Sequence, residues 1–465
     1  MRAQFKEMRN LGFIMHTLLW QVKSLPIVLS HQFFNMRLSC VYSRFIKLLT
    51  IALLTNQFTI ERSHARSTPE LANSSTITNT AQQSPKALVE KIWQIVEGEY
   101  IDKTFNRQDW NAIGQRYLNR SYASYEEAYQ AIKEMLRLLN DPSTVFYDPV
   151  AFKRLQVQID NVTGIGLQLI HDRETGAVTI ITPMENTAAQ KAGLLPQDII
   201  TTIDGKPVDG LDLGTVATML QGKVGTSVTL GILRKGQPIT FRVQRTKMEE
   251  IISVRYRVQE TEMGRIGYIR LTQFDTKATQ VMKAAIEALE KQNVKGYVLD
   301  LRSNPGGLLQ ASRDIARMWL SSGVIINPVD RDGKREQELA NNRALTQKPL
   351  VVLVDGGTAN GSEVLAAALQ ENQRALLVGK RTFGSNSIYS MRQLQNGTGF
   401  SIRIYKWLTP AGRDIDRTGL NPDVVVEVTD SQRQDLLREG KIGTPADPQF
   451  AKALEILNQK LRTSR

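Results

Sequence analysis

Two hydrophobic periods divide the chain. In "KALVEKIWQIVEGEYI" the residues Val89, Ile92, Trp93 and Val96 recur at intervals of three or four, and "SYEEAYQAIKEMLRLLND" repeats the pattern with Ala128, Ile132, Met135 and Leu138. Both segments are predicted as amphipathic helices. From Thr163 the period shortens and glycine becomes frequent. "TGIGLQLI", "AVTIITPM", "DIITTIDGKPV" and "TSVTLGIL" are predicted strands, with "TAAQKAGL" and "LGTVATMLQG" as short helices between them. Over residues 265–425 apolar runs such as "GYVLDLR", "PLVVLVD" and "RALLVG" alternate with helical patterns. That alternation predicts an α/β core with at least partly parallel strands, and loops at the strand ends that carry the site.

Ahead of these elements the chain reads as an address. From Met36 a basic stretch, "MRLSCVYSRFIK", leads into apolar "LLTIALLTNQFTI" and then "SHA", whose Ser63 and Ala65 fit the cleavage pattern of a secretory signal. Residues 1–65 are therefore expected to be a leader, and the protein to be exported to a periplasm or a thylakoid lumen. The alternative is an uncleaved anchor, which would make the leader the one membrane contact. The run 48–60 contains Thr, Asn and Gln and is short for a span. Residues 66–84, rich in Ser, Thr and Asn, are expected to be a linker.

Composition narrows the chemistry. With 465 residues and 41% hydrophobic content, two or three ordinary cores can form. The net charge of +13 suggests nucleic acid, but residues 1–66 carry a surplus of seven basic groups, and the rest holds +6 among 50 basic and 44 acidic residues. No basic run stands out there, which argues against a nucleic-acid partner. The one cysteine, Cys40, and three of four histidines, His16, His31 and His64, fall in the leader. The mature chain then has no disulfide and no Cys/His zinc site. His171 ends a predicted strand before a polar turn, and histidine is not expected to serve as a catalytic base.

"GIGLQL" followed by "NTAAQKAGLLPQDIITTIDGKPV" resembles a PDZ domain over residues 163–247. The turn Gly164, Ile165, Gly166 and Leu167 would aim backbone N–H groups at the carboxylate of a protein C-terminal tail, and the adjoining strand edge would pair with the tail. The segments "YVLDLRSNPGGLLQASRDIARMWL", "PLVVLVDGGTANGSEVLAAALQENQRALLVGKRTFG" and "YKWLTPAGRDIDRTGLNPD" resemble the carboxyl-terminal processing, or tail-specific, proteases of plant-chloroplast and cyanobacterial style. The resemblance spans about residues 88–450. It implies a crotonase-like α/β protease core with an inserted, mainly β PDZ domain and an N-terminal helical module. The expected layout is a helical module at 85–162, the PDZ domain at 163–247, the core at 248–430 and a helical tail at 431–465.

Members of that family use a Ser/Lys dyad, with no metal and no cofactor. The family's serine position, three residues before the end of the Ser-Glu pair, and its lysine position after Thr-Phe-Gly are occupied here by Asn360 and Ser385. Sliding the frame makes Ser362 a fallback nucleophile but puts Ser387 at the base position, so lysine is still missing. The resemblance further implies oxyanion donors at the N–H groups of Gly306 and Gly361, and acidic groups at Glu363 and Glu371 that order the pair. The bland alternative is that Gly306 and Gly307 permit a tight turn and Glu363 caps its helix. Two functions follow as expectations. One is a protein that binds C-terminal tails, or pairs with active relatives in a homo- or hetero-oligomer. The other is a serine endopeptidase with a rearranged dyad.

Overall fold

The computed structural model describes residues 84–141, 143–156, 163–172, 175–247 and 252–463, all within one of two compact units of the chain, residues 78–465. The leader, the cleavage site and nearly all of the expected linker lie outside the described residues.

Six strands form the central sheet, in the order Val254–Thr261, Gly264–Leu271, Gly296–Asp300, Leu350–Val354, Leu376–Gly379 and Val424–Val425. The first two pair antiparallel and the remaining neighbours parallel. Leu350–Val354 explains why its sequence is apolar without alternation. Leu350, Val352 and Val354 enter a core with the helices Ala278–Lys291, Leu309–Trp319 and Gly361–Glu371, while Val351 and Leu353 face Phe450, Leu454 and Leu457 on the opposite side. Side chains of a strand alternate between faces, and here both faces are covered. The C-terminal segment is thus more than a tail, since its helix Pro448–Thr463 forms the second layer over this sheet.

The N-terminal helices Pro85–Glu99, Trp110–Leu118 and Tyr125–Arg137 begin on side-chain caps from Ser84, Asp109 and Ser124. Their core is completed from far along the chain by Phe400 and Ile402, because the short strand Val145–Tyr147 pairs antiparallel with Gly399–Leu408. This second sheet, which also takes in Ser387–Gln393, Val324–Val329 and Glu338–Leu339, was not anticipated from the sequence periods.

Residues 163–247 form an antiparallel sheet in the order Leu167–His171, Val178–Pro183, Ile199–Ile203, Ser227–Arg234 and Gln237–Gln244, with the helices Ala188–Ala192 and Leu213–Leu220. Its own core contains Ile165, Val178, Ile200, Val216 and Leu230. Leu167–His171 lies at the edge of the sheet, so among the described residues one row of its backbone groups has no strand beside it. Among the described residues no helix is long and apolar enough to cross a membrane.

Candidate active site

Three loops leave the C-terminal ends of the neighbouring parallel strands Gly296–Asp300, Leu350–Val354 and Leu376–Gly379, and they converge. Asp355 joins the first two by accepting the N–H groups of Ser303 at 2.7 Å and Gly357 at 2.9 Å. Arg433, from the helix Asp430–Arg438, binds the same carboxylate at 2.7 Å. Burial raises the Asp355 pKa, and Arg433 with the Ser303 N–H more than reverses it, leaving the carboxyl below its ordinary value. The Thr358 hydroxyl donates to the Leu301 carbonyl at 2.9 Å, and the Ala359 N–H donates to the Asn304 carbonyl at 2.9 Å. The third loop joins through Phe383, whose N–H donates to the Thr358 carbonyl at 3.0 Å.

At the junction Asn360 has φ 48° and ψ −116°, outside both the helical and the extended regions. The chain turns there from strand to helix within one residue, which projects the Asn360 side chain into the space between the loops. A conformation of this kind costs on the order of 1–3 kcal/mol and persists because the surrounding bonds fix it. The Asn360 Nδ2 donates to the Pro305 carbonyl at 3.1 Å. Its Oδ1 accepts the Ser385 hydroxyl at 2.7 Å. The two positions expected from sequence to form a pair therefore meet across 25 residues of chain.

Glu363 lies beneath that pair, fully buried. Its carboxylate accepts the Thr382 hydroxyl at 2.6 Å and the N–H groups of Gly384 at 2.7 Å, Ser385 at 2.9 Å and Asn360 at 3.1 Å. It thus fastens both halves of the pair to one anchor rather than only capping its helix. Burial pushes its pKa from 4.5 up to about 7, against the pull of these donors.

The other expected residues are placed less uniformly. The Gly361 N–H has no acceptor among the described residues, but that of Gly306 donates to Asn304 Oδ1 at 2.9 Å, so the two expected donors are not equally available. Gly306 is needed for close approach. A Cβ on it would lie 2.7 Å from both Asn360 Cβ and the Gly361 nitrogen, and its φ is +95°. Ser362 is 0% exposed and donates to the Asn304 carbonyl at 3.0 Å, away from Ser385. Glu371, expected near the pair, lies at the far end of the helix Gly361–Glu371, about 15 Å along its axis. There it accepts the Ala411 N–H at 2.6 Å and binds Arg413. Lys380, the lysine nearest Ser385 in sequence, is turned to the Val428 carbonyl at 2.7 Å and Glu427 at 2.8 Å.

In the PDZ segment Ile165 is buried and Gly166 has φ +83°. The N–H groups of Ile165 and Gly166 have no acceptor among the described residues, whereas both carbonyls are used, accepting from Ala189 and Met184 at 2.8 and 2.9 Å. A cleft of about 530 Å³ lies between the PDZ segment and the loop that carries Ser303 and Pro305 beside the site. Gln168, Thr187 and Lys191 line it on one side, and Gln273, Ser303 and Pro305 on the other. Pro305 is the residue whose carbonyl holds Asn360.

Sequence comparison places residues 265–426 in peptidase family S41 and residues 162–244 in the PDZ domains. The chain is 41% identical over 368 residues to a carboxyl-terminal-processing protease of Synechocystis sp., covering 78% of this chain and 85% of that protein. It is 37% identical over 344 residues to carboxyl-terminal-processing peptidase 2, chloroplastic, of Arabidopsis thaliana, covering 71% and 67%. Among solved structures, the photosystem II D1 C-terminal processing protease superposes with a TM-score of 0.69 at 32% identity, covering 79% of this chain and all of that one. Sequence motifs, sheet order and these relatives agree that the chain belongs to the carboxyl-terminal processing peptidases of family S41, as a mixed α/β member with a PDZ domain.

Proposed function

We propose that this protein binds the C-terminal tails of exported proteins on a protease scaffold without hydrolysing them. The observation that carries this reading is the 2.7 Å hydrogen bond from Ser385 Oγ to Asn360 Oδ1. By resemblance these are the positions of the nucleophile and its base. An amide at the first has no hydroxyl to attack with, and a hydroxyl at the second is not a base near neutral pH. The bonds made by Lys380 and Ser362 argue against their substitution for the missing groups. Capture has separate support, since the unused Ile165 and Gly166 N–H groups and the edge strand belong to the PDZ segment and do not depend on the pair. The cleft would carry a tail held there toward Pro305, whose carbonyl holds Asn360. Pairing with an active relative, which would cut what this chain holds, belongs to the same reading.

The test offers the purified chain an unstructured peptide with an apolar tail, in free-carboxylate and amidated forms. Calorimetry should show binding of the free carboxylate at roughly micromolar Kd, about 8 kcal/mol, and weaker binding of the amide. Time-resolved mass spectrometry should show no products above background. Cleavage that Ser362→Ala abolishes would establish the rearranged endopeptidase instead, and equal affinity for the two peptides would remove the carboxylate turn from the reading.

A further inference from the structure

The turn that presents Asn360 also places it directly before a glycine, with a backbone conformation outside the main allowed regions. At ψ −116° the Gly361 nitrogen is nearly eclipsed with the Asn360 Cα–Cβ bond, given the tetrahedral arrangement of N and Cβ about an L-configured Cα. An eclipsed torsion is what a flat five-membered ring through Cγ, Cβ, Cα, C and the next nitrogen requires. Rotation about the side-chain bond, which gives up the present Nδ2 bond to the Pro305 carbonyl, remains before that nitrogen can meet Cγ.

The surroundings favour the same ring. Ser385 Oγ donates to Asn360 Oδ1 at 2.7 Å, so it polarises the amide carbonyl and would hold the negative charge that develops on oxygen during attack. The Gly361 N–H has no acceptor among the described residues, so no hydrogen bond has to break before the nitrogen reacts. It is the first residue of an eleven-residue helix, where the dipole favours negative charge on a nitrogen that has lost its proton. The leaving nitrogen, Nδ2, is held by the Pro305 carbonyl at 3.1 Å. Asn360 is half-buried, so water reaches it.

We propose that Asn360 is a self-modification site, at which the Gly361 backbone nitrogen closes a succinimide on Asn360 and water opens it to aspartate or isoaspartate. The bond from Gly361 N to Cγ forms as the nitrogen gives its proton to water. The Cγ–Nδ2 bond breaks, and the amine takes up a proton and leaves as ammonia. Water then adds to one of the two imide carbonyls, that carbon–nitrogen bond breaks, and the proton returns to nitrogen. One water is consumed, one ammonia is released, and nothing is oxidised or reduced. Opening at Cγ leaves a carboxylate beside Ser385. Opening at the main-chain carbonyl gives isoaspartate and adds a methylene to the backbone where the helix begins. This chemistry rests on the turn geometry and is independent of whether the chain hydrolyses peptides.

The molecule carries its own control. Asn396 and Gly397 form the same dipeptide in an exposed turn, with φ 55° and ψ 28°, far from the eclipsed torsion. The experiment incubates the full chain near neutral pH in water enriched in heavy oxygen, folded and in denaturant, and maps both dipeptides by mass spectrometry after acidic digestion. In the folded protein, conversion at Asn360 should outpace that at Asn396 by about tenfold or more, and in denaturant the two rates should converge. Ser385→Ala should slow the folded rate at Asn360 by about tenfold, equivalent to about 1.4 kcal/mol, and leave Asn396 unchanged. The wild-type comparison needs no variant to fold. Conversion at Asn360 no faster folded than denatured would overturn the proposal, as would an intact Asn360 in a chain whose Asn396 has converted. An unchanged rate in Ser385→Ala would refute the part assigned to the hydroxyl.

Discussion

Replacing Glu363 with glutamine isolates the charge that anchors the site. The carboxyl is fully buried, and burial lifts its pKa from 4.5 to about 7 even though the Thr382 hydroxyl and the N–H groups of Ser385, Gly384 and Asn360 favour the ionised form. A value raised on folding means that the folded chain holds this proton more tightly than the unfolded chain. The stability it contributes is therefore fully present below about pH 4.5 and is lost as the pH rises through about 7. At about 1.4 kcal/mol per pH unit, that interval amounts to about 3 kcal/mol. Glutamine keeps the shape and does not titrate. Its amide also faces some of the same donors, which adds a cost that does not vary with pH, so the trend is informative rather than the offset. Urea unfolding can be followed by the fluorescence of buried Trp319 and Trp407. Relative to E363Q, the wild type should lose about 3 kcal/mol between pH 4.5 and pH values above about 7. A wild type that instead gains on E363Q over that range would refute the reasoning, because it would mean that the four donors outweigh burial and hold a full negative charge.

Three further outcomes follow from the same geometry. Asn360→Ser combined with Ser385→Lys should give measurable turnover of a tail-bearing peptide by mass spectrometry, while either change alone should stay below about a hundredth of that rate, since hydroxyl and amine act as a unit. A folded double variant that binds tails without cutting them would show that more than the pair has been lost. Gly306→Ala forces a methyl to within 2.7 Å of Asn360 Cβ and the Gly361 nitrogen at φ +95°, so it should destabilise the protein by about 2 kcal/mol or more in thermal unfolding. Phe450→Ala empties a fully buried position between the C-terminal helix and the central sheet, and should cost about 3–5 kcal/mol in urea.

Much of the fold was readable because its signals are local. The buried strand Leu350–Val354 and the small-residue turn after it appear as a run of sequence, and the PDZ segment pairs within residues 163–247. The second sheet was not readable. Val145–Tyr147 and Gly399–Leu408 are each unremarkable in period, and their pairing spans some 250 residues. Within the site, the motif spacing identified Asn360, Ser385 and Glu363 as neighbours. It misplaced Glu371, because ten residues of helix carry a side chain to the opposite end of the element. The four donors on Glu363 have no signature in sequence, since they depend on loops from different strands arriving at one point, whereas the bond from the Gly306 N–H to Asn304, two residues earlier in the same loop, is a local turn that the "NPGG" run could have signalled.

The strand Val145–Tyr147 also sets a timetable. The apolar faces of the helices Pro85–Glu99, Trp110–Leu118 and Tyr125–Arg137 are covered in part by Phe400 and Ile402, which the ribosome adds some 250 residues after Tyr147. At about 5–20 residues per second, that delay is roughly 10–50 s. During it the PDZ segment already has every strand it needs, while the N-terminal helices wait as an adhesive surface on a growing chain. Until Phe400 and Ile402 are in place, part of the apolar face at the beginning of the described chain stays uncovered.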